Sequence, residues 1–258
     1  MLLTSTKNPI VQSAKALQTA KGRREQNAFL CDGEHMTGEA LRACPEMVSA
    51  LFVEDGQQER FAPLLALAQQ AGSTIYEVSA AVLEAVSQVK TPQGIAAVCG
   101  LPKSCPLERQ GQKLLLMENV QDPGNVGTIL RTLDAAGFDG CILTPGCADP
   151  FAPKTMRATM GSLFRVPMTF VEDGAEAAHW LRTNGWAVIG AELRGQPFYQ
   201  RGNRPDKLCV LIGNEGAGLT EEILAQCSFR YKLPMRGGAE SLNAGIAAAI
   251  MMYDLMNR

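Results

Sequence analysis

Short apolar runs alternate with helical patterns along almost the whole chain, and this alternation restricts the fold more than any other feature. Apolar runs such as Val48–Val53 and Thr74–Val78 are each followed by a stretch with helical periodicity, Ala62–Gln70 and Ala80–Gln88. Strands separated by helices form sheets on which the helices pack. The sequence therefore predicts an α/β protein.

A segment rich in proline and polar residues, 101–112, has the composition of a linker. After it, Lys113–Met117 is typical of a buried parallel strand. We predict a small α/β domain over 1–100, a linker over 101–112 and a second α/β domain over 113–258. The further strands predicted in the second domain are Cys141–Thr144, Val166–Phe170, Ala187–Ile189 and Leu208–Ile212, and its helices are Val126–Ala136, Ala175–Arg182 and Glu221–Ala225.

The last predicted helix, Ser241–Met256, is apolar on almost every side apart from Asp254. A helix without a polar face is buried on more than one side. At the end of a small domain, a second copy of the chain is a natural cover for the additional face. The pattern therefore predicts a homo-oligomer.

Positive charge is concentrated near the start of the sequence. The whole chain has 24 Lys+Arg against 26 Asp+Glu, a net charge of -2, which argues against indiscriminate binding of nucleic acid. The first acidic residue, however, is Glu25, and helical spacing over 8–20 separates an apolar face from the lysines. This basic segment supplies five candidate contacts to nucleic-acid phosphates: Lys7, Lys15, Lys21, Arg23 and Arg24.

Several classes of protein are disfavoured by composition. No apolar run approaches the roughly 18 residues of a membrane helix, and Lys7 and Pro9 interrupt the start too early for a secretory signal. None of the eight cysteines forms a C-x-x-C pair, and His35 and His179 lie far apart, so we expect no zinc site. We expect a cytoplasmic protein with reduced thiols.

Three segments of the second half combine glycine, asparagine and isolated charges directly after apolar strands, where open α/β sheets bind ligands. In the first, a turn at 122–125 leads into a helix. Asn125 there is either the cap of that helix or part of a site. Arg131, further along the helix, is either a surface charge or a functional group.

The second segment places Gly213, Gly216 and Gly218 around Glu215. Such glycines allow close approach of the backbone to a ligand. The segment lacks the lysine of a phosphate-binding loop and the spacing of a dinucleotide fingerprint, which excludes a nucleotide-dependent oxidoreductase.

The third segment runs from Leu233 into the last helix. Ser241 is placed to cap that helix. Asn243, a polar amide at the start of an apolar helix, is predicted to reach a ligand or another loop.

Together the three segments resemble the SpoU (TrmH) branch of the SPOUT RNA methyltransferases. The matching motifs are N-x-x-D-P-x-N-x-G-x-x-x-R at Asn119–Arg131, A-A-G-F at Ala135–Phe138, I-G-N-E-G-x-G-L at Ile212–Leu219, L-P-M at Leu233–Met235 and S-L-N at Ser241–Asn243. The family usually continues with V-S-V-A, where this chain has Ala244–Ala247. Small residues are retained there, so we expect cofactor binding to survive.

The N-terminal half is similar to the ribosomal-protein-like (L30e-like) substrate-binding domain of many of these enzymes. The similarity is looser and is carried by Asn8-Pro9 before a basic helix, Lys21–Arg24 and Phe29–Glu34. It extends the resemblance over almost the whole chain.

The resemblance implies a SPOUT α/β fold with a C-terminal trefoil knot, an exception to the rule against knots, preceded by a small L30e-like α/β domain. It also implies a homodimer that transfers a methyl group from S-adenosylmethionine to a ribose 2'-hydroxyl in structured RNA. The catalytic positions that match are Asn125, Arg131, Glu215, Ser241 and Asn243. Those that match cofactor-binding positions are Ile212, Gly213, Asn214, Leu233, Met235, Leu242 and Ala244.

Two questions about substrate and activity stay open. The separate N-terminal domain favours 23S ribosomal RNA over tRNA, and retention of the motif residues favours an active enzyme over an idle RNA-binding protein. Arginine is a poor base in proteins, so we expect Arg131 to orient the ribose and its phosphate. Further candidate phosphate contacts are Lys154, Arg157, Arg194, Arg201 and Arg204.

Overall fold

The structure is a computed structural model that describes residues 2–89, 91–203 and 205–256. The chain forms two compact units. The first comprises residues 1–103 together with 151–164, and the second comprises 104–150 together with 165–258. Each unit is built from one sheet with helices packed against it, which confirms the predicted α/β class.

The first unit contains a mixed five-stranded sheet with the order β1-β4-β3-β5-β2. Strands β1, β3 and β4 are parallel, and β5 runs antiparallel to its neighbours β2 and β3. The strands are Leu2–Leu3 (β1), Ala28–Asp32 (β2), Val48–Glu54 (β3), Thr74–Val78 (β4) and Ile95–Gly100 (β5). The helices before β5 are Pro9–Ala16 (α1), Ala20–Gln26 (α2), Gly33–Ala43 (α3), Ala62–Gln70 (α4) and Ala80–Val86 (α5).

The basic segment contains two helices: α1 confirms the helical spacing predicted over 8–20 as far as Ala16, and a second helix begins at Ala20. Helix α1 ends at Ala16, and the Thr19 hydroxyl caps α2 by accepting a hydrogen bond from the Gly22 amide at 3.0 Å. Arg23 is buried, and its Nη1 donates to the Leu17 carbonyl at 3.1 Å. The Arg23 guanidinium therefore holds the end of α1 and is not open to an RNA phosphate.

The second unit contains a six-stranded parallel sheet with the order β11-β9-β10-β6-β7-β8. Its strands are Lys113–Met117 (β6), Gly140–Leu143 (β7), Met168–Phe170 (β8), Ala187–Pro197 (β9), Leu208–Ile212 (β10) and Phe229–Lys232 (β11). The central strand β10 is buried along its whole length. Because all six strands run the same way, their carboxyl ends lie at one edge of the sheet.

Five further helices follow β6 along the chain: Pro123–Ala135 (α6), Pro153–Thr159 (α7), Gly174–Thr183 (α8), Glu221–Leu224 (α9) and Ala244–Met256 (α10). Helix α7 lies in the segment that packs with the first unit, where the Phe151 ring lies 4.9 Å from that of Phe29. The domain boundaries at 100 and 113 remain a prediction.

Strand β9 is longer than the predicted Ala187–Ile189. Its partner β11 pairs Arg230 with Gly190 and the next residue, Tyr231, with Gln196. Residues 191–195 therefore bulge out of the ladder at the carboxyl edge of the sheet.

Helix α10 begins at Ala244, and its cap is Asn243, whose Oδ1 accepts from the Ile246 amide at 3.2 Å. The predicted start and cap at Ser241 are wrong. The helix packs against α6 and leaves Ile246 and Tyr253 exposed. Its one charged residue, Asp254, forms an ion pair with the buried guanidinium of Arg201, which also lies 4.1 Å above the centre of the Phe198 ring.

None of the helices within the described residues is both long and apolar enough to cross a membrane.

Candidate functional site

Two neighbouring strands at the centre of the parallel sheet deliver the first two motif segments to one place. Met117, the last residue of β6, pairs with Ile212, the last residue of β10. The Glu118 amide continues this ladder by donating to the Ile212 carbonyl at 2.8 Å. Loops 118–122 and 213–220, which we call the fixed loops, therefore leave the sheet side by side.

Glu118 joins the two fixed loops, although the sequence did not single it out. Its carboxylate accepts from the Thr220 amide at 2.9 Å and from the Thr220 hydroxyl at 2.7 Å. The signal that could have found it is a charged residue directly after a buried apolar strand. Asn119, the next residue, has a φ of +52° and donates its amide to the Thr144 hydroxyl at 3.0 Å.

Asn214 shapes the glycine-rich turn. Its Oδ1 accepts from the amides of Gly216 and Ala217 at 2.9 and 3.0 Å, and its Nδ2 donates to the Asn119 carbonyl at 2.9 Å. A Cβ at Gly213 would overlap the carbonyl of Gly218, which explains the glycine. The Asn214 side chain therefore makes its hydrogen bonds to the protein backbone.

A chain of hydrogen bonds through Glu215, Asn125 and Asn243 connects all three motif segments. Asn125 is buried; its Nδ2 donates to Glu215 Oε1 at 2.9 Å, and its Oδ1 accepts from Asn243 Nδ2 at 2.7 Å. Asn243 was predicted to reach a ligand or another loop; within the described residues its side-chain amide reaches the first turn of α6. Asn125 does not cap α6, because the cap is the Asp122 carboxylate, which accepts from the Asn125 amide at 3.0 Å.

The Glu215 carboxylate is held in its charged form. Partial burial favours the neutral acid, but the bond from Asn125 and those from the amides of Asp122 and Gln121, at 3.1 and 3.2 Å, outweigh it. The net result is a pKa lowered from its ordinary value. The Glu215 carboxylate therefore links the glycine-rich turn to the backbone of Gln121 and Asp122 and to the side chain of Asn125.

The segment after β11 has a different character. Within the described residues, the backbone of 234–242 makes no hydrogen bond to other backbone groups. Three side chains of this segment are half-buried: Leu233, Met235 and Leu242. Ile212 and Gly213, at the end of β10, and Ala244, at the start of α10, are buried. We call residues 233–242 the open segment. Its unpaired amides and carbonyls beside apolar side chains suit a ligand with a flat ring and a polar edge.

Two predicted catalytic residues stand apart from this network. Arg131 lies on α6 with an exposed side chain, and Ser241 lies exposed in the open segment. Neither side chain forms a hydrogen bond or ion pair with another residue in the part of the chain that the structure describes. The structure therefore brings together Asn125, Glu215 and Asn243.

The basic candidates divide by exposure. Lys7, Lys15, Lys21 and Arg24 are exposed in the first unit, as are Lys154 and Arg157 on α7. Arg194 is exposed but paired with Glu192 and Glu221 at 2.8 and 2.7 Å. The Arg201 side chain is buried and paired with Asp254, so it is not available to a phosphate. Arg204 lies outside the described residues. Among those described, no cluster of His, Cys, Asp and Glu could hold a metal ion.

Known proteins match both halves of the chain. Residues 112–253 match the model of the SpoU rRNA Methylase family, and residues 8–97 match the MRM3-like substrate binding domain. The chain is 37% identical to the 23S rRNA (guanosine(2553)-2'-O)-methyltransferase RlmP of Bacillus subtilis, over 98% of each chain.

Solved structures agree over nearly the full length. An AdoMet-bound rRNA methyltransferase from Sinorhizobium meliloti is 31% identical, with a TM-score of 0.87 over 99% of this chain and 97% of the other. The SpoU methyltransferase AviRb from Streptomyces viridochromogenes, in complex with AdoMet, is 28% identical, with a TM-score of 0.80 over 97% of each chain. These matches confirm the SPOUT-type α/β fold class, and the knot within it stays a prediction. The chain belongs to the SpoU rRNA methylase family.

Proposed function

We propose that this protein methylates a ribose 2'-hydroxyl of 23S ribosomal RNA with S-adenosylmethionine as the methyl donor. The observation that carries the proposal is the hydrogen-bond chain Glu215–Asn125–Asn243, which ties the three family motifs together at the carboxyl edge of the sheet. The similarity to a 23S rRNA methyltransferase over the full chain supports ribosomal RNA as the substrate class.

The open segment and Gly213 would hold the cofactor. The half-buried side chains of Leu233, Met235 and Leu242 offer an apolar surface for an adenine ring, and the unpaired backbone of 234–242 offers partners for its polar edge. Ile212 and Asn214 flank Gly213 in the sequence, and Ala244 follows shortly after the open segment. When bound, S-adenosylmethionine supplies a methyl group on a positively charged sulfur, which needs no further activation.

Arg131 would act on the RNA. Methyl transfer forms an oxygen–methyl bond, breaks the sulfur–methyl bond and releases the hydroxyl proton to solvent or a nearby acceptor. The Arg131 fork, free of internal ion pairs among the described residues, can bind the ribose oxygen and an adjoining phosphate. Its charge lowers the cost of developing negative charge on the 2'-oxygen. Ser241 in the open segment is a further contact to RNA in this proposal.

The first unit would bind the RNA around the target. Lys7, Lys15, Lys21 and Arg24 are exposed and would contact its phosphates, and so would the exposed residues Lys154 and Arg157 on α7. Release of counterions from RNA makes such binding weaken steeply with salt. Replacing Lys15 with glutamine should remove one phosphate contact, so the slope of log affinity against log salt concentration should become shallower by somewhat less than one unit.

We further propose a homodimer and a cytoplasmic location. On α10, Ile246 and Tyr253 remain exposed at 51% and 44% on a helix with a single charge. Burial of this face against a second copy would remove apolar surface from water. Sedimentation at micromolar concentration should give a dimer, and a monomer there would contradict the assembly.

The decisive experiment maps 2'-O-methylation over ribosomal RNA and tRNA in cells with and without the protein. We expect one 23S position to lose its methyl group. Loss confined to tRNA would overturn the substrate, and no change in any RNA would indicate an idle binder. In vitro, transfer of labelled methyl from S-adenosylmethionine to unmodified ribosomal RNA should restore the missing modification.

A further inference from the structure

A concave site that contains none of the residues Glu215, Asn125 and Asn243 lies on the edge of the parallel sheet. It has a volume of about 540 Å³ and lies between the bulge of β9 and the exposed edge strand β11. We call it the edge pocket. Its walls include Glu192, Arg194, Gln196, Glu221, Phe229 and Arg230.

The apolar part of the edge pocket is the end of a stack of aromatic rings. Phe198 contacts Tyr231 edge-on, with centroids 5.9 Å apart, and Tyr231 stacks nearly parallel on Phe229, at 5.8 Å and 8°. Tyr231 is buried at 7% exposure, whereas Phe229 is 44% exposed. The stack therefore ends in an exposed ring that lies against a buried one, and a further flat ring can stack on it.

The polar part of the edge pocket is balanced in charge. Arg194 bonds Glu192 at 2.8 Å and Glu221 at 2.7 Å, and Arg230 lies 3.8 Å from Glu192. Two carboxylates thus face two guanidinium groups, so the field that would attract a phosphate is largely cancelled. Donors and acceptors side by side are instead complementary to the edge of a nucleobase, which also carries both.

We propose that the edge pocket binds an unpaired nucleobase of the RNA substrate, stacked on Phe229. The inference rests on the proposed function, because it takes RNA as the substrate. Gly190, just before the bulge, pairs with Leu211, so the bulge lies at the same carboxyl edge as the fixed loops. The base bound there belongs to a nucleotide near the methylated one and helps to select its sequence context.

Replacement of the ring tests the stack directly. Phe229→Leu keeps an apolar side chain but removes the flat face, and Phe229→Tyr keeps the face. Phe170→Leu is the matched control, because Phe170 is 43% exposed on β8, the other edge strand of the same sheet. The readouts are the Kd for a labelled single-stranded RNA of about six nucleotides, KM and kcat with ribosomal RNA, and the affinity for S-adenosylmethionine.

We expect Phe229→Leu to raise the RNA Kd and KM on the order of tenfold, as loss of one stacked base does. Phe229→Tyr and Phe170→Leu should match the unmodified protein, and kcat and cofactor affinity should not change. Because stacking is not screened by ions, the ratio between variants should persist from low to high salt.

Equal RNA affinity of Phe229→Leu and Phe170→Leu would overturn the inference. So would an Arg194→Gln variant that alone weakens binding in a salt-dependent way, since that outcome indicates a phosphate site. If the protein binds RNA through Phe229 but methylates none, the proposed function fails and the pocket stands. If the protein methylates RNA and Phe229→Leu is unimpaired, only the proposal for the edge pocket fails. If the protein binds no RNA at all, both proposals fail.

Discussion

The fixed loops and the open segment meet at the same edge of the sheet but are built in opposite ways. In the fixed loops, side chains such as Glu118, Asn214 and Glu215 accept hydrogen bonds from donors within the protein. In the open segment, the described backbone of 234–242 lacks internal backbone partners.

The difference separates two tasks. Loops whose conformation is fixed by internal bonds lose little entropy when a ligand arrives, so they supply a pre-formed wall. A segment with unpaired backbone groups supplies the partners that the ligand completes. The two regions should therefore respond differently to substitution: the first in stability and turnover, the second in cofactor affinity.

The largest effect is expected at Arg131, which, like the open segment, has no internal ion pair among described residues. Arg131→Ala should lower kcat roughly a hundred- to a thousandfold, as loss of one charge-stabilising donor does, with unfolding free energy unchanged. Labelled-methyl transfer and urea denaturation measure the two quantities. Arg182→Ala, another exposed helix arginine, is the control. Near-normal turnover of Arg131→Lys would exclude the proposed role of the guanidinium fork.

Next in size is Asn125→Ala, which breaks the link between the fixed loops and Asn243. It leaves polar groups of Glu215 and Asn243 without their partner, so unfolding free energy should fall by about 1–3 kcal/mol, with a loss of turnover on the order of tenfold or more. Chemical denaturation and initial rates report both. Asn184→Ala, at the end of α8, should lose much less stability. A fully active, fully stable Asn125→Ala would refute the division between the two regions.

A smaller effect is expected from Met235→Ala in the open segment. Removal of half-buried methylene groups at about 0.8 kcal/mol each should weaken S-adenosylmethionine binding about tenfold. Stability should change little, because the side chain is only half-buried without the ligand. Calorimetric titration measures the affinity, and Met160→Ala, on an exposed methionine of the first unit, is the control. An unchanged affinity would remove Met235 from the cofactor site.

The smallest effect concerns pH. Hydrogen bonds lower the pKa of Glu215 in the folded protein below its ordinary value of 4.5. Its contribution to stability is therefore complete above the unfolded-state pKa and is lost as pH falls through the folded-state pKa. Denaturation of Glu215→Gln and of the unmodified protein from pH 7 to pH 3 should give a stability difference that shrinks in acid. A constant difference for Glu215→Gln across this range would contradict the assignment.

Much of the fold could be predicted from the sequence because buried strands carry unbroken apolar runs. Lys113–Met117 and Leu208–Ile212, which are almost entirely buried, have the predicted limits. Thr74–Val78 also has its predicted limits, although only Val78 in it is buried. The elements that were missed lack that signal: β11 is a four-residue edge strand with three exposed residues, and the end of β9 is polar and bulged. Their existence depends on pairing with each other, which is a tertiary contact.

The candidate site shows the same limit. Motif order indicated that Asn125, Glu215 and Asn243 belong together, and the structure joins them by direct bonds. The sequence could not separate Arg23 from its exposed neighbours, because burial of that side chain depends on where the chain turns between α1 and α2. Glu118 was missed because its partner Thr220 lies 102 residues away.

The ion pair between Arg201 and Asp254 has a consequence for how the last helix is seated. Helix α10 is composed largely of alanine, isoleucine and methionine, so a slide by one turn along α6 would present nearly the same apolar surface. The largely buried ion pair forms in only one register of α10, because a slide of the helix would separate Asp254 from Arg201. A single polar residue sets the register of a coiled coil in the same way. Since Asn243 stands at the start of this helix, an ion pair near the far end of the helix fixes where the Asn243 amide lies in the candidate site.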